Sequence, residues 1–277
     1  DTYLEKYHIP AVDYSEGVKT SYPQGAQAKE FILPKELLEQ DCVISLSKMK
    51  THALERITGA VKNSYGFVYG FHKAKGHTQY PSADSFARML IDLNKCVAPK
   101  LYVMDGIVAM EGNGPGSGDP VPMNVLLMST DPVALDSVFS RLVYLKPEMV
   151  PTNYHGEKMG LGTWKEEEIT LLIPDGEISM AEAVKKYGNP AFNVDRTEVR
   201  KNIWTRMAGA LNIFQKKPYI EADKCVRCGI CVQSCPVPGK AVDFRKGKGK
   251  PPVYDYRKCI RCFCCQEMCP KKAIKVK

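Results

Sequence analysis

Over the first 200 residues, short apolar runs alternate with longer stretches of helical period. Runs at 31–33, 42–46, 101–104, 125–128 and 169–173 have strand length and end in polar or turn residues. Between them, 53–63, 82–96 and 131–144 repeat apolar side chains at helical spacing. In the middle stretch Phe86, Leu90 and Leu93 share one face, and Ser82 stands where a helix cap belongs. Asp131 before Pro132 predicts a second capped start, with proline in the first turn. Strands alternating with helices predict an α/β domain with a mainly parallel sheet. Ligands of such sheets bind beyond the carboxyl ends of the strands.

The pattern changes near residue 200. Residues 201–217, with Ile203, Trp204, Met207, Leu211 and Phe214, predict an apolar linking helix. Residues 218–277 then carry the run C-x2-C-x2-C-x3-C-P twice: Cys225, Cys228, Cys231, Cys235, and again Cys259, Cys262, Cys265, Cys269. That run is the bacterial-type signature of [4Fe–4S] clusters, whose fourth cysteine serves the other cluster in two-cluster proteins. Cys225, Cys228, Cys231 and Cys269 are therefore expected to hold one cluster, and Cys259, Cys262, Cys265 and Cys235 the other. Crossed ligation staples a segment too small to build a sufficient core alone. Asp243 and Phe244 are expected to pair with Val253 and Tyr254 across a lysine–glycine turn at 246–250. Ala241-Val242 and Ala273-Ile274 follow the two Cys-Pro pairs in the same way, predicting a small α+β module with an internal repeat.

Zinc sites favour paired cysteines, and a C-x2-C-x2-C loop suits neither zinc nor a disulfide. No secretory signal accompanies the cysteines in this sequence, and a cytoplasmic location is expected. Cys264, a ninth cysteine beside the second loop, is expected to pack against the cluster. Cys42 and Cys96 are expected to be buried small hydrophobes.

The chain of 277 residues has net charge +8, unevenly placed. Residues 1–200 hold 21 Lys and Arg against 26 Asp and Glu, whereas 201–277 hold 18 against 5. The excess lysines lack the aromatic interleaving of a nucleic-acid module, so no nucleic-acid partner is expected. A positive face instead suits an acidic redox partner or the acidic large domain. No run of eighteen apolar residues is present, so no transmembrane segment is expected.

Several presumed strand ends are polar. Lys48, Lys50, His52, Lys62 and His77 are candidates to bind a small anion, with Asn63 orienting it. His77 falls in an expected loop with His72, Lys73 and Lys75. Asp105, Glu111 and Asn113 are candidates for a cation or for acid–base work. His8 and His155 read as surface or packing residues. Glycines at 112, 114, 116 and 118 do not fit G-x-G-x-x-G, because Ser117 occupies the last glycine position and Pro115 blocks a helix start. They predict either a flexible loop whose backbone can approach a ligand closely or a plain surface loop. A flavin leaves no short motif, so the sequence leaves that cofactor open.

Lys48-Met49-Lys50-Thr51-His52, Thr58-Gly59-Ala60-Val61-Lys62-Asn63, Asp105-Gly106, Glu111-Gly112-Asn113-Gly114-Pro115 and Asp131-Pro132-Val133-Ala134-Leu135-Asp136 together resemble the domain of unknown function numbered three hundred and sixty-two. The resemblance is strong over 29–145 and extends weakly to 200. Members are often fused to a two-cluster ferredoxin, and Cys262-Phe263-Cys264-Cys265 is similar to the loop found there. Members usually carry a further N-terminal stretch, of which residues 1–28 resemble only the tail. No reaction comes with the resemblance. The expected function is single-electron relay between a redox partner such as a ferredoxin, flavodoxin or oxidoreductase and a site on the α/β domain. Reduction of an anionic substrate would make the chain a ferredoxin-dependent oxidoreductase. The alternatives are a non-catalytic docking subunit of an oxidoreductase and a metal-cofactor assembly factor.

Overall fold

The computed structural model describes residues 2–70, 72–198 and 217–276. The expected linking helix at 201–217 lies almost wholly outside the described residues.

A short helix α1 (Thr2–Lys6) precedes the antiparallel hairpin β1 (Gly17–Ser21) and β2 (Glu30–Pro34), then α2 (Lys35–Leu38). The main sheet follows with β3 (Ile44–His52) and β4 (Arg56–Thr58). After α3 (Ala60–Asn63), α4 (His72–Gln79) and α5 (Ala83–Val97), the sheet is completed by β5 (Leu101–Glu111) and β6 (Asp119–Ser129). Then come α6 (Pro132–Leu142), α7 (Pro151–Lys158), the hairpin β7 (Leu171–Ile173) and β8 (Gly176–Ile178), and α8 (Met180–Tyr187).

The sheet order is β4-β3-β5-β6, and only β3 and β5 run parallel. The domain is thus α/β with a mixed sheet, not the mainly parallel one expected. The reason is chain length. The loop between β5 and β6 is far shorter than the dozen residues a parallel crossover requires, so the strands must form a hairpin.

Two element boundaries also move. β3 begins after Cys42 and runs on to His52, because Ser47, Met49 and Thr51 alternate inward while the lysines point to the other face. The segment 53–63 is mostly strand and turn, with helix only at Ala60–Asn63. Gly59 permits this: a Cβ there would sit 1.9 Å from an Asp136 carboxylate oxygen. That carboxylate accepts the N–H groups of Ala60 and Val61 at 2.5 and 3.1 Å, satisfying the start of α3. Residues 72–79, expected as loop, form α4. The capped starts at Ser82 and Asp131 are present, with side chains accepting from Ser85 N–H and from Val133 and Ala134 N–H.

The helices cover one face of the sheet. Met49, Met104 and Val125 pack there against Leu135 and Phe139, while Phe86, Leu90 and Leu93 join Leu33 and Val61 in an adjoining core. On the opposite face, Leu46, Val103 and Met128 form one row across three strands. Leu46 is 71% exposed and Met128 65%. Cys42 is exposed rather than buried, and Cys96 is only partly covered.

Residues 217–276 form a separate small α+β unit. β9 (Pro218–Ile220) pairs with β12 (Ile274–Val276), and β10 (Val242–Asp243) pairs with β11 (Val253–Tyr254). Its core consists of Cys231, Cys235, Cys265, Ala241, Val242 and Ile274. Among the described residues, no helix is long and apolar enough to cross a membrane.

Candidate functional site

The two cysteine loops adopt one backbone conformation twice. The residues flanking the second cysteine are left-handed in both: Arg227 (φ 60°) and Gly229 (φ 79°), then Arg261 (φ 57°) and Phe263 (φ 60°). A one-turn helix follows each, Ile230–Gln233 and Cys264–Glu267. Beyond each Cys-Pro pair another left-handed residue, Lys240 or Lys272, turns the chain back. Ala241 N–H thereby donates to Cys235 Sγ, and Ala273 N–H to Cys269 Sγ, both at 3.3 Å.

Each loop encloses a cavity. One is lined by Cys225, Cys228, Cys231 and Cys269 with Ile220, Ile230 and Ile274. The other is lined by Cys235, Cys259, Cys262 and Cys265 with Val237, Val242 and Tyr254. The walls combine four thiols with apolar side chains, and hydrogen-bond donors point at the sulfurs; Tyr254 Oη–H also donates to Cys265 Sγ at 3.1 Å. This donor set fits an iron–sulfur cluster, whose sulfurs take N–H and O–H donors that tune its potential. Cys264 is buried and hydrogen-bonds the Cys262 sulfur.

The small unit docks on the large domain through its second loop. Gln266 Nε2–H donates to the carbonyls of Asn113 and Gly114, both at 2.9 Å. Lys272 Nζ–H donates to Gly118 carbonyl at 3.1 Å, and Asn113 Nδ2–H to Ile274 carbonyl at 3.1 Å. His52 Nε2 lies 3.1 Å from Glu267 Oε1, and Lys62 Nζ lies 4.0 Å from the same oxygen. The glycine loop, expected to approach a ligand or to be plain surface, lies close against protein backbone. A Cβ on Gly116 would sit 2.8 Å from the Glu267 carbonyl oxygen, and one on Gly114 2.0 Å from that of Thr51.

The predicted polar residues divide accordingly. Lys50, His52, Lys62 and His77 gather around Glu267 and one another. Lys48 stands apart on the open sheet face, paired with Asp105 at 2.6 Å. The second Asp105 oxygen accepts Ile107 N–H, Glu111 accepts Asn193 N–H, and Asn63 donates to Leu46 carbonyl. Asp105, Glu111 and Asn113 each hold a backbone group. Among the described residues, no three His, Cys, Asp or Glu side chains converge on a single metal ion. His155 packs, with Nε2 2.8 Å from Asp84, and His8 is exposed. Gln266 and Glu267 escaped the sequence reading. The signal was present: in the first repeat Val232 and Gln233 occupy their places.

The histidine tautomer follows from geometry. His52 Nδ1 accepts the N–H groups of Leu54 and Glu55, both at 3.1 Å, so the proton resides on Nε2 and points at Glu267. Burial, with Lys62 adding to it, holds the His52 pKa down at about 4. Burial likewise holds His77 at about 4; its ring stacks on Phe86 at 4.4 Å and meets Tyr65 edge-on. Burial pushes the Glu267 carboxyl up, but Lys62 and the His52 hydrogen bond outweigh it and keep Glu267 ionised. Burial and then Lys62 lower the Lys50 ammonium.

These shifts predict a pH effect. A histidine whose folded pKa lies near 4 is protonated first in the unfolded chain, near its ordinary value of 6.5. Stability is therefore fully present above about pH 6.5 and falls as pH drops towards 4, by up to about 1.4 kcal/mol per pH unit for each histidine. The buried acids Asp136 and Glu55, both raised by burial, titrate with the opposite sign. The comparison that isolates the histidines is His77→Phe, which keeps the aromatic stack. Urea unfolding between pH 6.5 and 5 should show a stability loss shallower in the variant by about 1.4 kcal/mol per pH unit.

Two loops of this geometry on a small α+β scaffold define a ferredoxin-type iron–sulfur protein, here joined to an α/β domain. The chain belongs to the family described as Domain of unknown function (DUF362), whose model matches residues 1–141. A 4Fe-4S dicluster domain matches residues 217–270. The chain is similar to the thylakoid-associated protein sll1697 of Synechocystis sp. (strain ATCC 27184 / PCC 6803 / Kazusa), with 38% identity over 160 residues, 57% of this chain and 49% of that protein. The chain thus spans about half the length of that relative. No solved structure matches.

Proposed function

We propose that the protein relays single electrons between a redox partner and the α/β domain. Cys225, Cys228, Cys231 and Cys269 would hold one [4Fe–4S] cluster, and Cys259, Cys262, Cys265 and Cys235 the second. When bound, the clusters supply one-electron transfer, which the protein's own residues orient and insulate. One observation carries the reading: the second loop is fastened to the segments that gather the polar residues. Gln266 fixes it to the glycine loop, and Glu267 fixes it to His52 and Lys62. Phe263 and Cys264, both buried, exclude water there.

The test is a redox titration followed by electron paramagnetic resonance. Glu267→Gln removes a negative charge beside the second loop and leaves Lys62 uncompensated, so reduction there becomes easier. The potential of the second cluster should rise by tens of millivolts, while the first stays unchanged. Equal shifts at both clusters, or none, would count against this arrangement.

Reduction of a small anion at the α/β domain is a second reading, favoured by a particular imbalance. Lys50 and Lys62 face the single carboxylate of Glu267, and buried His77 Nδ1 has no hydrogen-bond partner among the described residues. A docking role without catalysis would use the same contacts. We place the protein in the cytoplasm, where reductants keep thiols reduced.

A further inference from the structure

The two cysteine loops are built alike, so any difference in their surroundings reflects what each one faces. In the first loop Val226, Arg227 and Cys228 are all exposed, Val226 at 56%. The matching residues of the second loop, Ile260, Arg261 and Cys262, are partly covered, and Phe263 is buried where the first loop has half-covered Gly229. The large domain closes one end of the unit and leaves the other open.

Positive charge predominates at the open end, beside exposed Asp223 and a Lys224–Glu221 pair. Arg227 and Lys271 line the first cavity themselves. The turn bearing Lys246, Lys248 and Lys250 is exposed and hangs beside it. It is anchored there on both sides: Phe244 reaches the first loop, its ring 3.4 Å from where a Gly229 Cβ would stand, and Pro252 lines the same cavity. None of the three turn lysines, nor Lys271, takes part in an ion pair among those described. An apolar centre at Val226 within a cationic ring is the surface that a carrier protein of opposite charge docks on.

We propose that the face around Val226, ringed by Arg227, Lys271 and the Lys246–Lys250 turn, is the docking surface for a small one-electron carrier protein with an acidic face. The assignment rests on the electron-relay reading above. In the exchange, one electron leaves the carrier and enters the domain, or the reverse, and no atom is transferred. Steering by such a ring raises association rates by about 10- to 1,000-fold at low ionic strength and is screened by salt. A lipid surface fits less well, because a single exposed apolar side chain, Val226, stands at the centre of the face.

The test measures association of the reconstituted protein with an acidic flavodoxin by stopped-flow, with iron content assayed on the same samples. Lys246→Glu/Lys248→Glu should slow association at least tenfold at about 20 mM salt and match wild type near 0.5 M, where screening is nearly complete. Arg257→Glu/Lys258→Glu makes the same charge change beside the second loop and should alter the rate less than about twofold. Equal slowing by both pairs, no slowing by the first, or tighter binding to phosphatidylglycerol vesicles than to flavodoxin would overturn the proposal. Low iron with the expected salt dependence would instead implicate the relay reading and leave the docking surface standing.

Discussion

Replacing Cys235 with alanine is expected to empty the second cavity and spare the first, although Cys235 lies in the first cysteine run. It lines the cavity with Cys259, Cys262 and Cys265, and Ala241 N–H is aimed at its sulfur. Iron should fall from about eight to about four atoms per chain, as one cubane of two is lost. Cys269→Ala should do the converse, emptying the cavity beside Cys225, Cys228 and Cys231. Both variants should also loosen the small unit, since Cys235 belongs to its core and Cys269 packs against it. Spectra of the paired variants distinguish crossed from local ligation. Loss of the first-loop signal in Cys235→Ala would mean that the sets do not cross.

The second large effect is expected at Gly116. A valine there would drive its side chain into the backbone at Glu267, where even a Cβ comes within 2.8 Å of the carbonyl oxygen. No flexible side-chain end is available to move aside. The Gln266, Lys272 and Asn113 hydrogen bonds and the His52–Glu267 contact would be lost together. At about 1 kcal/mol for each neutral bond, and more for those to charged groups, docking should weaken by several kcal/mol. Because each part has its own core, both should stay folded while separating. Small-angle scattering should show a larger radius of gyration, and iron content should not change. An unchanged radius would mean that the glycine loop does not hold the domains together.

What the sequence revealed depended on how local the cause was. Left-handed loops closing around cysteines are set by a dozen contiguous residues, so the iron–sulfur module could be read directly. The caps at Ser82 and Asp131 are equally local, and both were legible. The direction of β6 was not, because it depends on the length of the loop after β5 rather than on strand composition. The run Ser47–His52 looked like a polar strand end. Its period of two, with Met49 and Thr51 turned inward, shows that it continues the strand. The polar candidates divide between contacts to the small unit and contacts that fix nearby backbone. His52, Lys62 and Asn113 hold the second half of the chain, more than 150 residues away in sequence. A partner at that separation leaves no trace in local spacing. Only a comparison of the two repeats, Val232-Gln233 against Gln266-Glu267, hints at it.

The most direct test is iron and sulfide analysis of protein reconstituted without air, together with its low-temperature paramagnetic spectrum after dithionite. The relay account predicts about eight irons per chain and a reduced signal broadened by two neighbouring spins. Four irons or fewer in fully reconstituted wild-type protein, with a single isolated spin or none, would contradict it.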